Sequence, residues 1–200
     1  MKLLIATTNP GKIAEYQALF ADLNLNVVGL RDQAIDFEVE ETGTTFEENA
    51  RLKARAYAEA SGILTLADDS GLCVDALGGA PGVFSARYAE GDRARIERLL
   101  TELRDIPDDQ RAARFVCVIA LAEPGGETTT FEGTCEGRIA WQPRGTHGFG
   151  FDPVFLFPDH GQTMAELPMS IKNQISHRAR ATAKARRWLL AYLSRSQVCE

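Results

Sequence analysis

The sequence predicts an α/β protein on a mixed β-sheet, and three observations predict it. Short apolar strand patterns alternate with amphipathic helical patterns through the first half of the chain. Two strand patterns, Arg114 to Leu121 and Thr128 to Glu136, flank Glu123-Pro124-Gly125-Gly126, as an antiparallel hairpin requires. A stretch from about Ser176 to Leu193 keeps one face apolar through Ala179 and Ala183 and reads as a long helix. With 200 residues, 44% of them hydrophobic, and no shift in composition, one domain over 1–200 is expected.

Lys2 to Ala6 reads as the first strand, followed by Thr7-Thr8-Asn9-Pro10-Gly11-Lys12 and a helical pattern carrying Ile13, Tyr16, Leu19 and Phe20. Asn9 suits the N-cap and Pro10 the first helical position. A strand, a small-residue turn and a helix N-terminus with a nearby lysine make a phosphate-binding layout, in which free N–H groups face the anion. Asn26 to Leu30 is the next strand, and the acidic stretch Asp36 to Glu41 precedes a helix from about Phe46 to about Ser61. Capping-box spacing is met by Thr44 with Glu47 and by Thr45 with Glu48. Asn49 and Lys53 are four apart and share a helix face.

The apolar run Ile63 to Ala67 is expected to be a buried strand that stops at Asp68-Asp69, with Ser70 and Gly71 forming a turn. Adjacent strand residues point to opposite faces, so one of the two acids is the first candidate for a cation. Mg²⁺ needs only one or two carboxylates when phosphate oxygens and water fill its other positions. Glu41 is a candidate second carboxylate, whereas Glu47 and Glu48 are explained as helix-cap partners. Downstream, Leu77 to Gly82 reads as an irregular loop and Arg87 as an anion ligand; Asp92 to Arg104 reads as a helix. Asp108 to Arg111 is expected at the surface, and a short strand near Arg138 to Trp141 follows the hairpin. In Gly145 to Phe155, a base could stack on Phe149 or Phe151 beside Asp152, while His147 is a loop histidine. Lys172, His177 and Arg178 gather at a helix N-terminus, where cations need an anionic or acceptor partner.

The net charge of -6 argues against broad nucleic-acid or membrane-surface binding. The apolar run at Met1 to Ala6 is short for a signal peptide and no run reaches membrane-spanning length, so a cytoplasmic location is expected. Cys73, Cys117, Cys135 and Cys199 show no C-x-x-C spacing and are assigned no chemistry.

Together these blocks resemble the non-canonical purine nucleoside triphosphate pyrophosphatases, the dITP/XTP or inosine triphosphate pyrophosphatases of HAM1/RdgB type. The resemblance rests on Thr7 to Lys12, Glu40-Glu41-Thr42-Gly43 through Lys53-Ala54, Ala67 to Tyr88, Phe149 to Pro153, and Lys172 through Arg178, and runs essentially end to end. It implies an elongated mixed sheet with flanking helices, two lobes around a nucleotide cleft, and a homodimer. It also implies Mg²⁺-dependent cleavage of a purine nucleoside triphosphate to monophosphate and pyrophosphate. By the resemblance, Asp69 is the catalytic acid-base residue and a metal ligand, Glu41 the other metal carboxylate, and Asp68 a support to them. Thr7, Thr8, Asn9, Pro10, Gly11, Lys12, Lys53, Ser70, Arg87 and Lys172 are implied substrate ligands on the triphosphate side. Phe149, Gly150, Phe151, Asp152, His177 and Arg178 are implied to form the base pocket, with Arg178 suited to donate to a 6-oxo group. Two departures stand out: Phe151 where Tyr or Trp is usual, and Glu90-Gly91 where the family often has Gly sooner.

Two rival readings are weighed against this one. A phosphatase forming an aspartyl-phosphate would carry Asp-x-Asp at a first strand end, which is absent. A non-catalytic nucleotide- or RNA-binding module would use Phe149 and the basic residues near Arg178 as a stacking platform, against the acidic balance of the chain.

Overall fold

The computed structural model describes residues 1–196 of the chain. Seven strands form one sheet: β1 (Lys2–Ile5), β2 (Asn26–Gly29), β3 (Thr65–Val74), β4 (Ala112–Ala122), β5 (Thr128–Ile139), β6 (Phe155–Phe157) and β7 (Gln162–Thr163), ordered β2-β1-β3-β4-β5-β6-β7. β1 pairs in parallel with β2 and β3, whereas β6 pairs antiparallel with β5 and β7, so the sheet is mixed as expected. Its helices are α1 (Pro10–Leu19), α2 (Phe46–Ser61), α3 (Gly91–Glu102), α4 (Met169–Ile175) and α5 (His177–Ser196). Among the described residues no helix is long and apolar enough to cross a membrane. Cys199 lies outside the described residues.

The helix starts follow from local chemistry. Asn9 accepts from the N–H groups of Gly11 and Lys12, and Pro10 opens α1 with its φ already helical. Thr45 and Glu48 close a reciprocal capping box on α2, which ends at Gly62 with φ +65°.

Three expectations are corrected. β3 does not stop at Asp68-Asp69 but continues through Ser70 and Gly71 to Val74, because Leu72 and Val74 beyond them are fully buried and hold the chain extended. No separate strand forms near Arg138 to Trp141; β5 runs on to Ile139. Arg111, expected at the surface, is 1% exposed. Its guanidinium donates to the carbonyl oxygens of Leu103, Ile139 and Ala140 and lies 4.2 Å from the Trp141 ring, so its polar atoms are satisfied without water.

By residue packing the chain divides into two compact units. Among the described residues, the first comprises Met1–Asp69, Cys117–Gly133 and 178–196; the second comprises Ser70–Val116 and Thr134–His177. Leu3, Ile5, Tyr16, Phe20, Ile119 and Leu189 centre the core of the first. Leu72, Leu99, Phe115, Phe155 and Met164 centre that of the second. Each fully buried side chain of this size contributes about 1.5–3 kcal/mol of transfer free energy.

Candidate active site

In the first unit, the pleat of β3 sends Asp68 and Asp69 to opposite sides, and each meets its own cations. Asp68 faces α1 and α5. Its Oδ2 lies 2.9 Å from Lys12 Nζ and 3.2 Å from Arg178 Nη2, while Arg178 Nη1 lies 2.5 Å from Glu15 Oε2. Burial would raise the Asp68 carboxyl, but Lys12, Arg178 and Lys53 outweigh it and hold the group well below the usual carboxylate range. Arg178 is buried too, and Asp68 and Glu15 more than offset that burial, so its guanidinium stays charged.

Asp69 faces α2. Lys53 Nζ sits 2.5 Å from Glu41 Oε1 and 3.2 Å from Asp69 Oδ1, so one ammonium is shared by two carboxylates. Asn49 donates from Nδ2 to Asp69 Oδ2 at 3.3 Å and accepts the Gly43 N–H at 2.8 Å. Burial pushes the Asp69 carboxyl above its ordinary value; Lys53 and Lys12 pull it down and Glu41 pushes it up. Lys53 is lowered by burial, but Asp69, Asp68 and Glu41 reverse that and raise it.

Glu41 and Asp69 present hard oxygen donors to one cationic position, now filled by the Lys53 ammonium. No group of three or more His, Cys, Asp or Glu side chains that could hold a metal occurs among the described residues. A pair of carboxylates fits Mg²⁺, which takes its remaining ligands from phosphate and water, and does not fit a metal that needs an all-protein cage.

The Thr7 to Lys12 turn carries less free backbone than the sequence suggests. Asn9 Oδ1 takes the Gly11 and Lys12 N–H groups at 2.8 and 3.2 Å, and the Thr7 hydroxyl takes that of Asn9 at 3.2 Å. The cap that starts the helix therefore uses the amides that a phosphate would otherwise meet.

In the second unit, Asp152 is buried and its Oδ2 accepts from the Phe149 N–H at 3.0 Å and from Lys172 Nζ at 2.6 Å. Lys172 Nζ also lies 5.0 Å from the centroid of the Phe149 ring. Lys172, expected among the triphosphate ligands, thus stands with Phe149 and Asp152. Phe151 packs into the core edge-on to Tyr88, whereas Phe149 is exposed. Gly150 donates its N–H to Asp92 at 2.7 Å. His177 is buried, stacked on Phe115 at 4.7 Å and 3.9 Å from Cys135 Sγ. Ser70 follows Asp69 on β3, and Arg87 is exposed with its guanidinium 5.7 Å from the Phe84 ring.

The structure therefore brings together Lys12, Asp68 and Arg178 on one side of β3, and Glu41, Lys53 and Asp69 on the other. Reading the sequence missed Glu15, whose only local signal is a carboxylate beside Tyr16 on the apolar side of α1. It also missed what Asn49 does, although its spacing from Lys53 placed both on one helix face.

Residues 3–188 match the model of the Ham1 family. A dITP/XTP pyrophosphatase of Shouchella clausii is 55% identical over 183 residues, covering 90% of this chain and 92% of that protein. The structure of a HAM1 protein from Coxiella burnetii superposes with a TM-score of 0.87 at 43% identity, covering 96% of this chain and 99% of that one. The Ham1 protein of Staphylococcus aureus gives a TM-score of 0.85 at 45% identity over 96% of this chain and 100% of its own.

Proposed function

Because the chain belongs to the Ham1 family, we propose that it hydrolyses non-canonical purine nucleoside triphosphates, dITP, ITP and XTP, to the monophosphate and pyrophosphate, removing deaminated purines from the nucleotide pool. The naming of its relatives supports the reaction. The observation that carries it is the arrangement of Glu41, Lys53 and Asp69 around one cationic position, with Lys12 and Asp68 on the opposite face of the strand.

In this reading Glu41 and Asp69 would hold Mg²⁺, which would supply Lewis-acid polarisation of the phosphoryl group. Ionised Asp69 orients a water molecule and accepts its proton. Lys53 leaves its two carboxylates for the phosphate oxygens, and Lys12 at the α1 N-terminus adds a second cation, so charge developing on the leaving pyrophosphate is met by two ammonium groups. Thr7, Thr8, Asn9, Pro10, Gly11, Ser70 and Arg87 complete the proposed phosphate contacts.

Base recognition is assigned to Phe149, Gly150, Phe151, Asp152, Lys172 and His177, with Phe149 as the stacking surface. A donor opposite the purine 6-position pairs with the 6-oxo group of hypoxanthine or xanthine and is left facing another donor by adenine. Arg178, expected from the resemblance as the donor to the 6-oxo group, is instead proposed as a support to Asp68, since both of its terminal nitrogens lie against carboxylates. A cytoplasmic homodimer without nucleic-acid or membrane partners belongs to the same proposal.

The test is incubation of the purified protein with ITP, XTP, GTP and ATP, with and without Mg²⁺, separating pyrophosphate from orthophosphate. Pyrophosphate from ITP and XTP, dependent on Mg²⁺ and scarce with ATP and GTP, is expected. Orthophosphate, or no product, contradicts the reading.

A further inference from the structure

Asn49 is fully buried on α2 and uses both ends of its amide. Its oxygen takes the Gly43 N–H at 2.8 Å and its nitrogen donates to Asp69 at 3.3 Å. Gly43 lies two residues beyond Glu41, in a stretch without regular secondary structure. No strand ladder or helix therefore fixes the backbone that carries Glu41; Lys53 holds its carboxylate, and the Asn49 amide holds the loop. The approach at Gly43 is close: a Cβ there would come within 2.7 Å of Asn49 Oδ1 and 2.6 Å of Glu48 Cβ. Only glycine lets the loop reach the amide.

We propose that Asn49 is a positioning residue, one side chain that ties the loop bearing Glu41 to Asp69 and so sets the separation of the two carboxylates before a cation arrives. The geometry suits an amide in particular. Only a group with an acceptor at one end and a donor at the other can hold a backbone N–H and a carboxylate at once. Asp would keep the first bond and replace the second with repulsion; Leu would provide neither. A carboxylate pair set in advance spares the cation the cost of ordering the loop, and a misplacement of about 1 Å at a reacting centre can cost about 100-fold in rate. This inference rests on the pyrophosphatase reading for its kinetic consequence but not for the loop contact itself.

The experiment compares Asn49→Ala, Asn49→Asp, Gly43→Ala and the double variant Asn49→Ala/Gly43→Ala with the unchanged protein, and takes Thr45→Ala as a control that weakens the same helix end through its cap. Three quantities are read: ITP turnover, Mn²⁺ binding to nucleotide-free protein by electron paramagnetic resonance, and hydrogen exchange at the Gly43 amide. Asn49→Ala and Gly43→Ala are each expected to lower kcat about 100-fold with KM for ITP within about threefold, to weaken Mn²⁺ binding, and to be non-additive in the double variant. Asn49→Asp is expected to keep the Gly43 amide protected while losing kcat. Thr45→Ala is expected to lose stability and keep kcat. The proposal is overturned if Asn49→Ala and Asn49→Asp lose kcat only in proportion to a fall in Tm, as any loosened helix would, or if both bind Mn²⁺ as the unchanged protein does. If the unchanged protein releases no pyrophosphate from ITP, the pyrophosphatase reading fails, and the Mn²⁺ and exchange comparisons alone decide the role of Asn49.

Discussion

Arg178 Nη2 lies 3.2 Å from Asp68 Oδ2, joining the first of the two adjacent acids of β3 to a helix 110 positions later in the chain. Both side chains are almost completely buried, and Lys12 shares the same carboxylate oxygen. Buried ion pairs contribute little net stability when intact, because desolvation offsets most of the attraction. Breaking one from a single side is different. Asp68→Ala leaves two cations without their carboxylate, and is expected to cost about 3–5 kcal/mol in urea unfolding. A loss below about 1 kcal/mol, the size seen for exposed pairs, would show that water replaces the carboxylate freely.

The same group fixes a pH dependence. The folded pKa of Asp68 lies below its ordinary value of 3.8. Between the two values the unfolded chain holds a proton that the native chain does not, so stability rises with pH across that window. The contribution is complete above the ordinary value and is lost as pH falls through the folded one. Unfolding by urea from about pH 5 down to about pH 2.5 should therefore show a shallower loss in Asp68→Asn than in the unchanged protein. Parallel curves would contradict the depressed carboxyl.

Gly148 supports the Asp152 and Lys172 pair by having no side chain. Its φ is +80°, and a Cβ there would stand 2.0 Å from Asp152 Oδ2 and 3.1 Å from Lys172 Nζ. Gly148→Ala must displace the carboxylate from both the Phe149 N–H and the lysine. With Asp152 in the proposed base pocket, the expected outcome is a KM for ITP raised about tenfold or more with a smaller change in kcat. An unchanged KM would remove Asp152 from base recognition.

How much of this was legible in the sequence depends on range. The starts of α1 and α2 were readable because Asn9, Thr45 and Glu48 bond to amides within three positions of themselves. The end of β3 was not, because Ser70-Gly71 has turn composition while the residues that hold it extended, Leu72 and Val74, act through burial. Arg111 looked like surface by its charge, and only the folded chain supplies the carbonyl oxygens of Leu103, Ile139 and Ala140 that let it be buried. At the site, Glu41, Lys53, Asp68 and Asp69 could be named as separate candidates, whereas Glu15 needs a partner 163 positions away to show a purpose. The Asn49 contact with Asp69, 20 positions apart, likewise exists only once α2 packs beside β3.

Cys117 is fully buried, 3.8 Å from Asp68 Oδ2, and burial pushes its thiol up to about 12, with Asp68 adding to the effect. At about pH 8 the thiolate fraction is then on the order of 10⁻⁴, too small for nucleophilic chemistry. Iodoacetamide should leave Cys117 unlabelled in the native protein and label it after denaturation, as peptide mass analysis can read. Native labelling at Cys117 would show that the interior beside Asp68 opens to solvent.

Asp69→Asn tests the central claim most directly, since it keeps the shape of the side chain and removes its charge and basicity. The measurement is a single turnover of ITP with Mg²⁺, following pyrophosphate by rapid quench and nucleotide binding in parallel. The account expects the variant to fold and to bind ITP, yet to release pyrophosphate at least about 1,000-fold more slowly than the unchanged protein, the combined loss of proton acceptance and a metal carboxylate. Release at close to the unchanged rate would contradict it, and would move the chemistry away from the carboxylate that Lys53 and Asn49 hold in place.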